Sequence, residues 1–202
     1  MSKFIQQQPI ILASGSVVRR KLLDSLGIEF SVIPSHCDEE AIKESFHSSN
    51  RIDLGLTLAA SKALDVSQKH PEHFVIAADQ LCLIGPTLLN KPLNHETAIE
   101  HLSLLSGQKH QQIACLCIAK NNELLWQHHE IAELTLHHLN RQTIEAYLLR
   151  EQPYQSCGAY QYETLGKWLF KEVKGNEDTI LGLPLLPLTE ALMKLKAVTF
   201  LY

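Results

Sequence analysis

Residues 11–23 have the sequence ILASGSVVRRKLL, in which an apolar run passes through a Ser/Gly turn into a basic segment. The pattern predicts a strand followed by a helix that Gly27 ends. The N–H groups of such a turn and of a helix N-terminus attract anions. Arg19 and Arg20 add charged donors suited to phosphate oxygens. The segment predicts a phosphate site without P-loop spacing; the alternative is a strand-to-helix turn with two solvated arginines.

The composition is that of an ordinary globular protein. The 202 residues are 45% hydrophobic and 20% charged, which predicts a single domain over 1–202 with a substantial core. A net charge of −4 gives no electrostatic footprint for nucleic acid. No apolar stretch approaches membrane-spanning length, and residues 1–8 lack the apolar core of a signal peptide. We therefore expect a cytoplasmic protein that binds neither nucleic acid nor membrane.

The five cysteines predict reduced thiols. Their number is odd and no C-x-x-C pair occurs, which argues against a disulfide framework or a zinc site. Cys115 and Cys117 are two apart in an apolar run, so as strand residues they share one face. A nucleophilic cysteine is the alternative. The adjacent histidine pairs at 128–129 and 137–138 point to opposite faces of a strand and do not form a natural chelate.

Strand and helix patterns alternate along the chain. The hairpin between the two longest strands is predicted at Asn121-Asn122, since asparagine tolerates positive φ. The alternation predicts an α/β or α+β fold with a mixed sheet. The expected strands cover 9–13, 30–34, 74–78, a pair within 81–89, 111–119, 123–138 and 168–173, and the expected helices cover 17–26, 54–68, 96–105, 141–151 and 189–196.

Four further segments have residues suited to chemistry. Asp79 follows a buried strand, where it would hold a metal, activate water, or cap a turn. Lys91 precedes a proline and would reach a phosphate or lie in a surface turn. The acidic run 38–40 after the second strand suits a hard cation or a solvated turn. The segment 156–166 has two glycines, which predict close approach of the backbone to a ligand or another strand.

Taken in order, these segments resemble the Maf family of nucleoside triphosphate pyrophosphatases over residues 10–195. The resemblance implies a strongly bent mixed β-sheet flanked by helices, with two lobes around a central cleft, as in Maf- and ITPase-like folds. The matching pieces are Leu12-Ala13-Ser14-Gly15-Ser16 with Arg19-Arg20, Asp38-Glu39, Ser61-Lys62-Ala63, Ala78-Asp79-Gln80, Asn90-Lys91-Pro92, Leu105-Ser106-Gly107, Gly158-Ala159 and Gly182-Leu183-Pro184.

Three positions resemble the branch of the family that acts on 7-methyl-GTP. That branch tends to have a bulky apolar residue, a glutamine and a glutamate where this chain has Val18, Gln80 and Glu163. The branch acting on dTTP and UTP usually has arginine, threonine and glutamine there. Val18 departs from the tryptophan often found in the first branch, because valine cannot stack on a base. A buried carboxylate at Glu163 would complement the cationic 7-methylguanine ring.

The resemblance implies that the triphosphate is split between its α and β phosphates, in the manner of nucleotide-pool house-cleaning. Asp79 would activate water, and Glu39 and Asp79 would hold a divalent cation, Mg²⁺ or Mn²⁺. The phosphates would be bound by a set of polar and basic residues, namely Ser14, Arg19, Arg20, Lys62 and Lys91.

Three alternatives stay open. They are a dTTP/UTP pyrophosphatase, a nucleotide-sensing regulator of septum formation with little catalysis, and a phosphate-binding α/β domain of another kind. The expected partner is a small-molecule nucleotide, and a homodimer is left open.

Overall fold

The computed structural model describes residues 6–200. Residues 1–5, which belong to the N-terminal stretch considered for a signal peptide, lie outside the described part. The strands are β1 (Ile10–Leu12), β2 (Ser31–Val32), β3 (Phe74–Ile84), β4 (Thr87–Leu89), β5 (Lys109–Lys120), β6 (Glu123–Leu136) and β7 (Phe170–Lys174). The helices are α1 (Val17–Asp24), α2 (Glu39–Ser45), α3 (Arg51–Lys69), α4 (His95–Leu105), α5 (Arg141–Glu151), α6 (Glu177–Ile180) and α7 (Leu185–Lys194), with a 3₁₀ helix at Leu165–Leu169.

The seven strands form one mixed sheet, as the alternating pattern predicts. Its order is β2-β1-β3-β5-β6-β7, and β4 pairs with β3 outside this path. Strand β1 pairs in parallel with β2 and β3, whereas β3–β4 and β6–β7 are antiparallel. The predicted fold class, a mixed sheet with flanking helices, is therefore confirmed.

The described chain divides into two compact units. The first comprises residues 6–79, 114–130 and 182–200, and the second comprises 80–113 and 131–181. Strands β3, β5 and β6 contribute residues to both units.

The first unit has a core of aliphatic residues from β1, β3, β5 and α7. Helix α1 contributes one buried residue, Leu23, while its remaining side chains stay accessible. Helix α3 buries one face through small and aliphatic residues and extends the helix predicted over 54–68 by three residues at its start and one at its end. The fully buried members of the core include Leu12, Ile76, Leu116, Ile118 and Leu188.

The second unit packs α4 and α5 over its own apolar cluster. Asn94 and Asn140 cap these helices, because each side chain accepts a backbone N–H three residues ahead. The predicted bounds of α5 are confirmed at both ends. The buried members of this cluster include Cys82, Leu102, Leu136, Ile144 and Leu148.

Two local predictions are confirmed by backbone conformation. Asn121 and Asn122 have φ values of 51° and 59°, which form the hairpin turn between β5 and β6. Gly158 has φ +80°, and a Cβ there would lie 2.9 Å from Cys82 Sγ, so the backbone does approach a neighbouring strand closely.

Three local predictions are wrong. Strand β3 does not end before Asp79 but continues to Ile84, because buried apolar residues follow and extend the strand. The acidic run 38–40 is the start of helix α2, with Asp38 as its N-cap, instead of a turn. The last helix begins at Leu185, four residues earlier than expected. Within residues 6–200, no helix combines the length and apolarity needed to cross a bilayer.

Candidate active site

Two serines organise the turn between β1 and α1 in the first unit. Ser16 caps α1, because its Oγ accepts the backbone N–H of Arg19 at 3.3 Å. Ser14 is 8% exposed, and its Oγ accepts the Ser16 backbone N–H at 3.2 Å. A second bond to Ser14 Oγ comes from Arg19 Nη1 at 3.4 Å. Because a hydroxyl has two lone pairs and one proton, Ser14 keeps its proton for an acceptor such as a phosphate oxygen.

The guanidinium of Arg19 connects this turn to the strand that contains Asp79. Besides Ser14, Nη1 donates to the carbonyl oxygen of Ala78 at 2.7 Å, and Nε donates to that of Gly182 at 3.0 Å. Ala78 directly precedes Asp79 in β3. Arg19 therefore positions the backbone around the candidate site in addition to supplying positive charge.

Lys62 brings two carboxylates together. Its Nζ lies 2.7 Å from Asp79 Oδ1 and 3.1 Å from Glu39 Oε1. The side chains of Lys62 and Asp79 are 12% and 10% exposed, whereas that of Glu39 is 43% exposed. The shared ammonium offsets the repulsion between two negative charges at close quarters. Five sequence-predicted residues, Ser14, Arg19, Glu39, Lys62 and Asp79, are thus linked in the first unit by direct contacts or by neighbouring backbone.

Two neighbours of this cluster were not predicted. Burial lowers the pKa of Lys43, but the hydrogen bond and charge of Glu40 and the charges of Glu39 and Asp79 raise it above its ordinary value overall. Lys43 follows Glu39 by one helical turn of α2, so recognising that helix would have revealed it. Burial, followed by the charge of Asp79, raises the pKa of Cys115 to about 12.

The buried cysteines do not support the alternative of a nucleophilic thiol. Burial raises the pKa of Cys117 to about 12 and that of Cys82 well above its ordinary value. Together with Cys115, these thiols stay protonated near neutral pH, and a thiolate is the nucleophilic form. All five cysteines are free. The prediction that Cys115 and Cys117 share a face is confirmed by their bonds to the carbonyls of Ile52 and Leu56 on α3.

Arg20 lies apart from the cluster. It is exposed and lines a surface pocket with Asp24 and Glu29, and neither Ser14 nor Arg19 lines that pocket. Consecutive helical residues point in directions about 100° apart, which separates the two arginines. The structure does not bring Arg20 to the other predicted phosphate ligands of this unit.

In the second unit, Lys91 and Glu163 are exposed. Lys91 lies in the segment between β4 and α4, outside regular secondary structure. Glu163 lies in the turn before the 3₁₀ helix, so the expectation of a buried carboxylate there is wrong. The turn follows Gln161, whose backbone N–H donates to Tyr147 Oη at 3.0 Å. Solvent screens the charge of an exposed carboxylate, which reduces its weight in recognising a base.

Gln80 is half-buried and hydrogen-bonded within the second unit. Its Nε2 donates to Gln112 Oε1 at 2.7 Å and to the carbonyl oxygen of Ile180 at 3.2 Å. Val18, the third predicted specificity residue, is the second residue of α1 and is partly exposed in the first unit.

The carboxylates of Glu39 and Asp79 fit a hard divalent cation by their chemistry. Magnesium is commonly bound by one or two carboxylates together with substrate phosphate oxygens. Over residues 6–200, no group of three or more His, Cys, Asp or Glu side chains is arranged to hold a metal ion by itself. A metal at Glu39 and Asp79 would therefore depend on oxygens of the substrate to complete its ligands.

The fold and the cluster define an α/β protein with a Ser/Arg turn at a helix start beside a lysine that bridges two carboxylates. The family model described as "Maf-like protein" matches residues 9–195. The chain belongs to this family.

Several relatives in the family are named nucleoside triphosphate pyrophosphatase. A protein of that name from Legionella pneumophila (strain Corby) is 66% identical over 198 residues, covering 98% of this chain and 99% of its own. Another, from Nitrobacter hamburgensis, is 40% identical over 190 residues and covers 93% and 94%. The solved structure of a HAM1 protein from Coxiella burnetii aligns with a TM-score of 0.43 at 16% identity, covering 64% of this chain and 73% of that one. That structural likeness is too slight to carry an argument.

Proposed function

We propose that the chain is a nucleoside triphosphate pyrophosphatase, which hydrolyses the bond between the α and β phosphates. The observation that carries this proposal is the contact of Lys62 with both Asp79 and Glu39 beside the Ser14–Arg19 turn. Membership of a family whose named relatives have this activity supports it.

In the proposed reaction, water attacks the α-phosphorus and the bond from that phosphorus to the α–β bridging oxygen breaks. Pyrophosphate leaves with the bridging oxygen and its electron pair, and the nucleoside monophosphate keeps the new oxygen. Asp79 accepts a proton from the attacking water, since a carboxylate held within hydrogen-bond reach serves as a general base. Lys62 holds Asp79 in place and stabilises negative charge that develops on the phosphates.

The proposed phosphate ligands are Ser14, Arg19, Lys62 and Lys91. The Ser14 hydroxyl and the α1 N-terminus supply neutral donors, and the other three supply positive charge. A divalent cation, Mg²⁺ or Mn²⁺, held by Glu39 and Asp79 offsets the charge of the triphosphate when it is bound. We place the protein in the cytoplasm, where its reduced cysteines are expected.

We propose 7-methyl-GTP as the substrate, on the basis of Gln80 and Glu163. A glutamine amide and a carboxylate both offer acceptors to the N1 and N2 donors of a guanine edge. Because Glu163 is exposed, Gln80 has the larger part in this discrimination. The alternative is a pyrophosphatase for dTTP and UTP, because Val18 has no ring to stack on a purine, although it also lacks the arginine usual in that branch.

The test is a panel of triphosphates with pyrophosphate release as the readout. Purified protein is compared on 7-methyl-GTP, GTP, dTTP and UTP with Mg²⁺ or Mn²⁺ present. We expect pyrophosphate from all cleaved substrates and the highest kcat/KM for 7-methyl-GTP. A higher kcat/KM for dTTP and UTP would contradict the proposal of 7-methyl-GTP as the substrate. Binding without pyrophosphate release would favour a nucleotide-sensing regulator.

A further inference from the structure

Four side chains of the second unit form a continuous hydrogen-bonded chain that ends at Gln80. Gln80 Nε2 donates to Gln112 Oε1 at 2.7 Å, and Gln112 Nε2 donates to Tyr160 Oη at 2.8 Å. Tyr160 Oη lies 2.8 Å from His110 Nε2. His110, Gln112 and Tyr160 are 1%, 3% and 4% exposed, so solvent does not compete for these bonds. Buried polar groups of this kind stabilise a defined geometry only when their donors and acceptors match.

The Gln80 end of this hydrogen-bonded chain fixes the direction of the two amide bonds. The Gln80 amide group that faces Gln112 also lies 3.2 Å from the carbonyl oxygen of Ile180. A carbonyl oxygen only accepts, so this group is the NH₂ and not the oxygen. Gln112 must then accept with Oε1 and donate with Nε2. The Tyr160 hydroxyl accepts that bond, which leaves its own proton available for donation to His110 Nε2.

At the other end of this hydrogen-bonded chain, His110 and Tyr160 are both uncharged. Burial lowers the pKa of His110 to about 4, against a smaller opposing effect of the Gln108 backbone. Burial raises the pKa of Tyr160 well above its ordinary value. The imidazole is therefore neutral and the phenol protonated near neutral pH. Donation of the hydroxyl proton to His110 Nε2 requires that the imidazole proton be on Nδ1, which is buried and has no hydrogen-bond partner among residues 6–200.

The direction determines which end of the Gln80 amide accepts. With Nε2 committed to Gln112 and Ile180, Oε1 is turned away from the chain. It is buried and has no hydrogen-bond partner among residues 6–200. Rotating the amide by 180° would set Oε1 against the Ile180 carbonyl and Gln112 Oε1, three acceptors without a proton between them. The hydrogen-bonded chain therefore opposes rotation of the Gln80 amide.

We propose that His110, Gln112 and Tyr160 are positioning residues that hold the Gln80 amide with its oxygen as an acceptor for N–H donors of the nucleobase. This inference rests on the proposed function, in which Gln80 meets the base of a triphosphate. The ligand class is a base with adjacent N–H donors on one edge, as guanine has at N1 and N2. A buried acceptor that lacks a partner gains most from such a donor and discriminates against a base that cannot supply it.

The variant that tests this proposal is Tyr160→Phe. It removes the bridging hydroxyl and keeps the ring, which packs edge-to-face on Phe170 at 4.9 Å between centroids. Tyr154→Phe is the matched control, because its hydroxyl bonds to His95 Nδ1 at 3.0 Å in the same unit without touching Gln80. The readouts are kcat/KM for 7-methyl-GTP relative to UTP, and the tautomer of His110 from its ring ¹⁵N shifts.

We expect Tyr160→Phe to lower the 7-methyl-GTP to UTP ratio about five- to tenfold, mainly through KM. Tyr154→Phe keeps the ratio within about twofold of wild type. Wild-type His110 shows the Nδ1–H tautomer, which the variant loses in part. In a Gln80→Leu background, where no amide is left to orient, Tyr160→Phe no longer changes the ratio.

These measurements separate the positioning role of Tyr160 from the proposed pyrophosphatase activity. An active enzyme whose ratio is unchanged by Tyr160→Phe overturns the inference alone. An Nε2–H tautomer of His110 in the wild type overturns donation from Tyr160 to His110, and with it the positioning role of His110, whatever the activity. A wild-type protein that releases no pyrophosphate from any triphosphate overturns the proposed function, and the role in reading the base with it.

Discussion

Replacing Asp79 by asparagine separates the chemistry of the site from its folding. The substitution keeps the shape and one acceptor oxygen but removes the charge that contacts Lys62 at 2.7 Å. Lys62 keeps its contact with Glu39 at 3.1 Å, so its ammonium is not left without a counter-charge. The loss of stability should therefore be about 1–2 kcal/mol, well below the 3–5 kcal/mol typical of a buried charge left unpaired.

The expected effect on catalysis is larger than the effect on folding. An amide neither accepts the proton of the attacking water nor binds a metal as a carboxylate does, so kcat should fall by about 10²- to 10⁴-fold. The assay measures pyrophosphate release under saturating substrate, alongside urea denaturation for the free energy of unfolding. Nucleotide binding, measured by calorimetry, should largely survive.

A matched control is available on the same helix as Lys62. Asp65 contacts Lys69 at 2.6 Å, and Asp65→Asn removes an Asp–Lys ion pair outside the cluster. This control should cost about 1 kcal/mol or less of stability and leave turnover unchanged. The reasoning is refuted if Asp79→Asn keeps near-wild-type turnover, or if the two variants lose activity equally and in proportion to folded protein.

Four further predictions follow from the site and the buried network. Lys91→Ala should lower kcat/KM by the equivalent of about 2–4 kcal/mol. The control is Lys171→Ala, at another exposed lysine, and the two variants should have the same midpoint of urea unfolding. Activity should vanish in EDTA and return with Mg²⁺ or Mn²⁺; full activity in chelator contradicts the metal proposal. Glu163→Gln should lower the 7-methyl-GTP to UTP ratio by only about two- to fivefold, since the carboxylate is exposed. Folding lowers the pKa of His110 from 6.5 to about 4, so the unfolded chain binds a proton at this residue before the folded protein does. The free energy of unfolding should therefore fall by about 3 kcal/mol between pH 6.5 and pH 4 on account of His110. The His110→Gln variant should lack this part of the pH dependence.

Secondary structure was predictable where burial follows a clear period. Strand β5 is a continuous buried run, the second half of β6 alternates, and α5 buries residues at helical spacing. Asn121-Asn122 supplies the positive φ that the turn between the two strands requires. Helix α2 was missed because it buries no residue and so lacks an apolar period. Its signal was the N-cap Asp38 followed by two acidic residues, a pattern of helix starts that also suits a turn.

The end of β3 was misplaced for a related reason. Asp79 and Gln80 interrupt an otherwise apolar strand, and polar residues usually mark its end. Both are held by side chains distant in sequence, Asp79 by Lys62 and Gln80 by Gln112. Such partners, 17 and 32 residues away, are brought together by tertiary structure, which no local pattern encodes.

The candidate site was likewise predictable where its contacts are local in sequence and not where they depend on tertiary structure. The Ser14–Arg19 turn is local in part: its cap and the bonds to Ser14 come from residues within five positions, whereas Arg19 also bonds to the distant Ala78 and Gly182. The exposure of Glu163 and the separation of Arg20 from Arg19 depend on how the turn and the helix pack, so the sequence did not reveal them. The hydrogen-bonded side chains from Gln80 to His110 could not be predicted either, because a buried histidine, tyrosine and glutamine have no distinctive spacing in the sequence.

In the proposed reaction, water attacks the α-phosphorus of a nucleoside triphosphate. The most direct test is hydrolysis of 7-methyl-GTP in ¹⁸O-labelled water, followed by ³¹P NMR of the products. We expect 7-methyl-GMP with one ¹⁸O on its phosphorus, together with unlabelled pyrophosphate. Orthophosphate and 7-methyl-GDP, or label in the pyrophosphate, would contradict it.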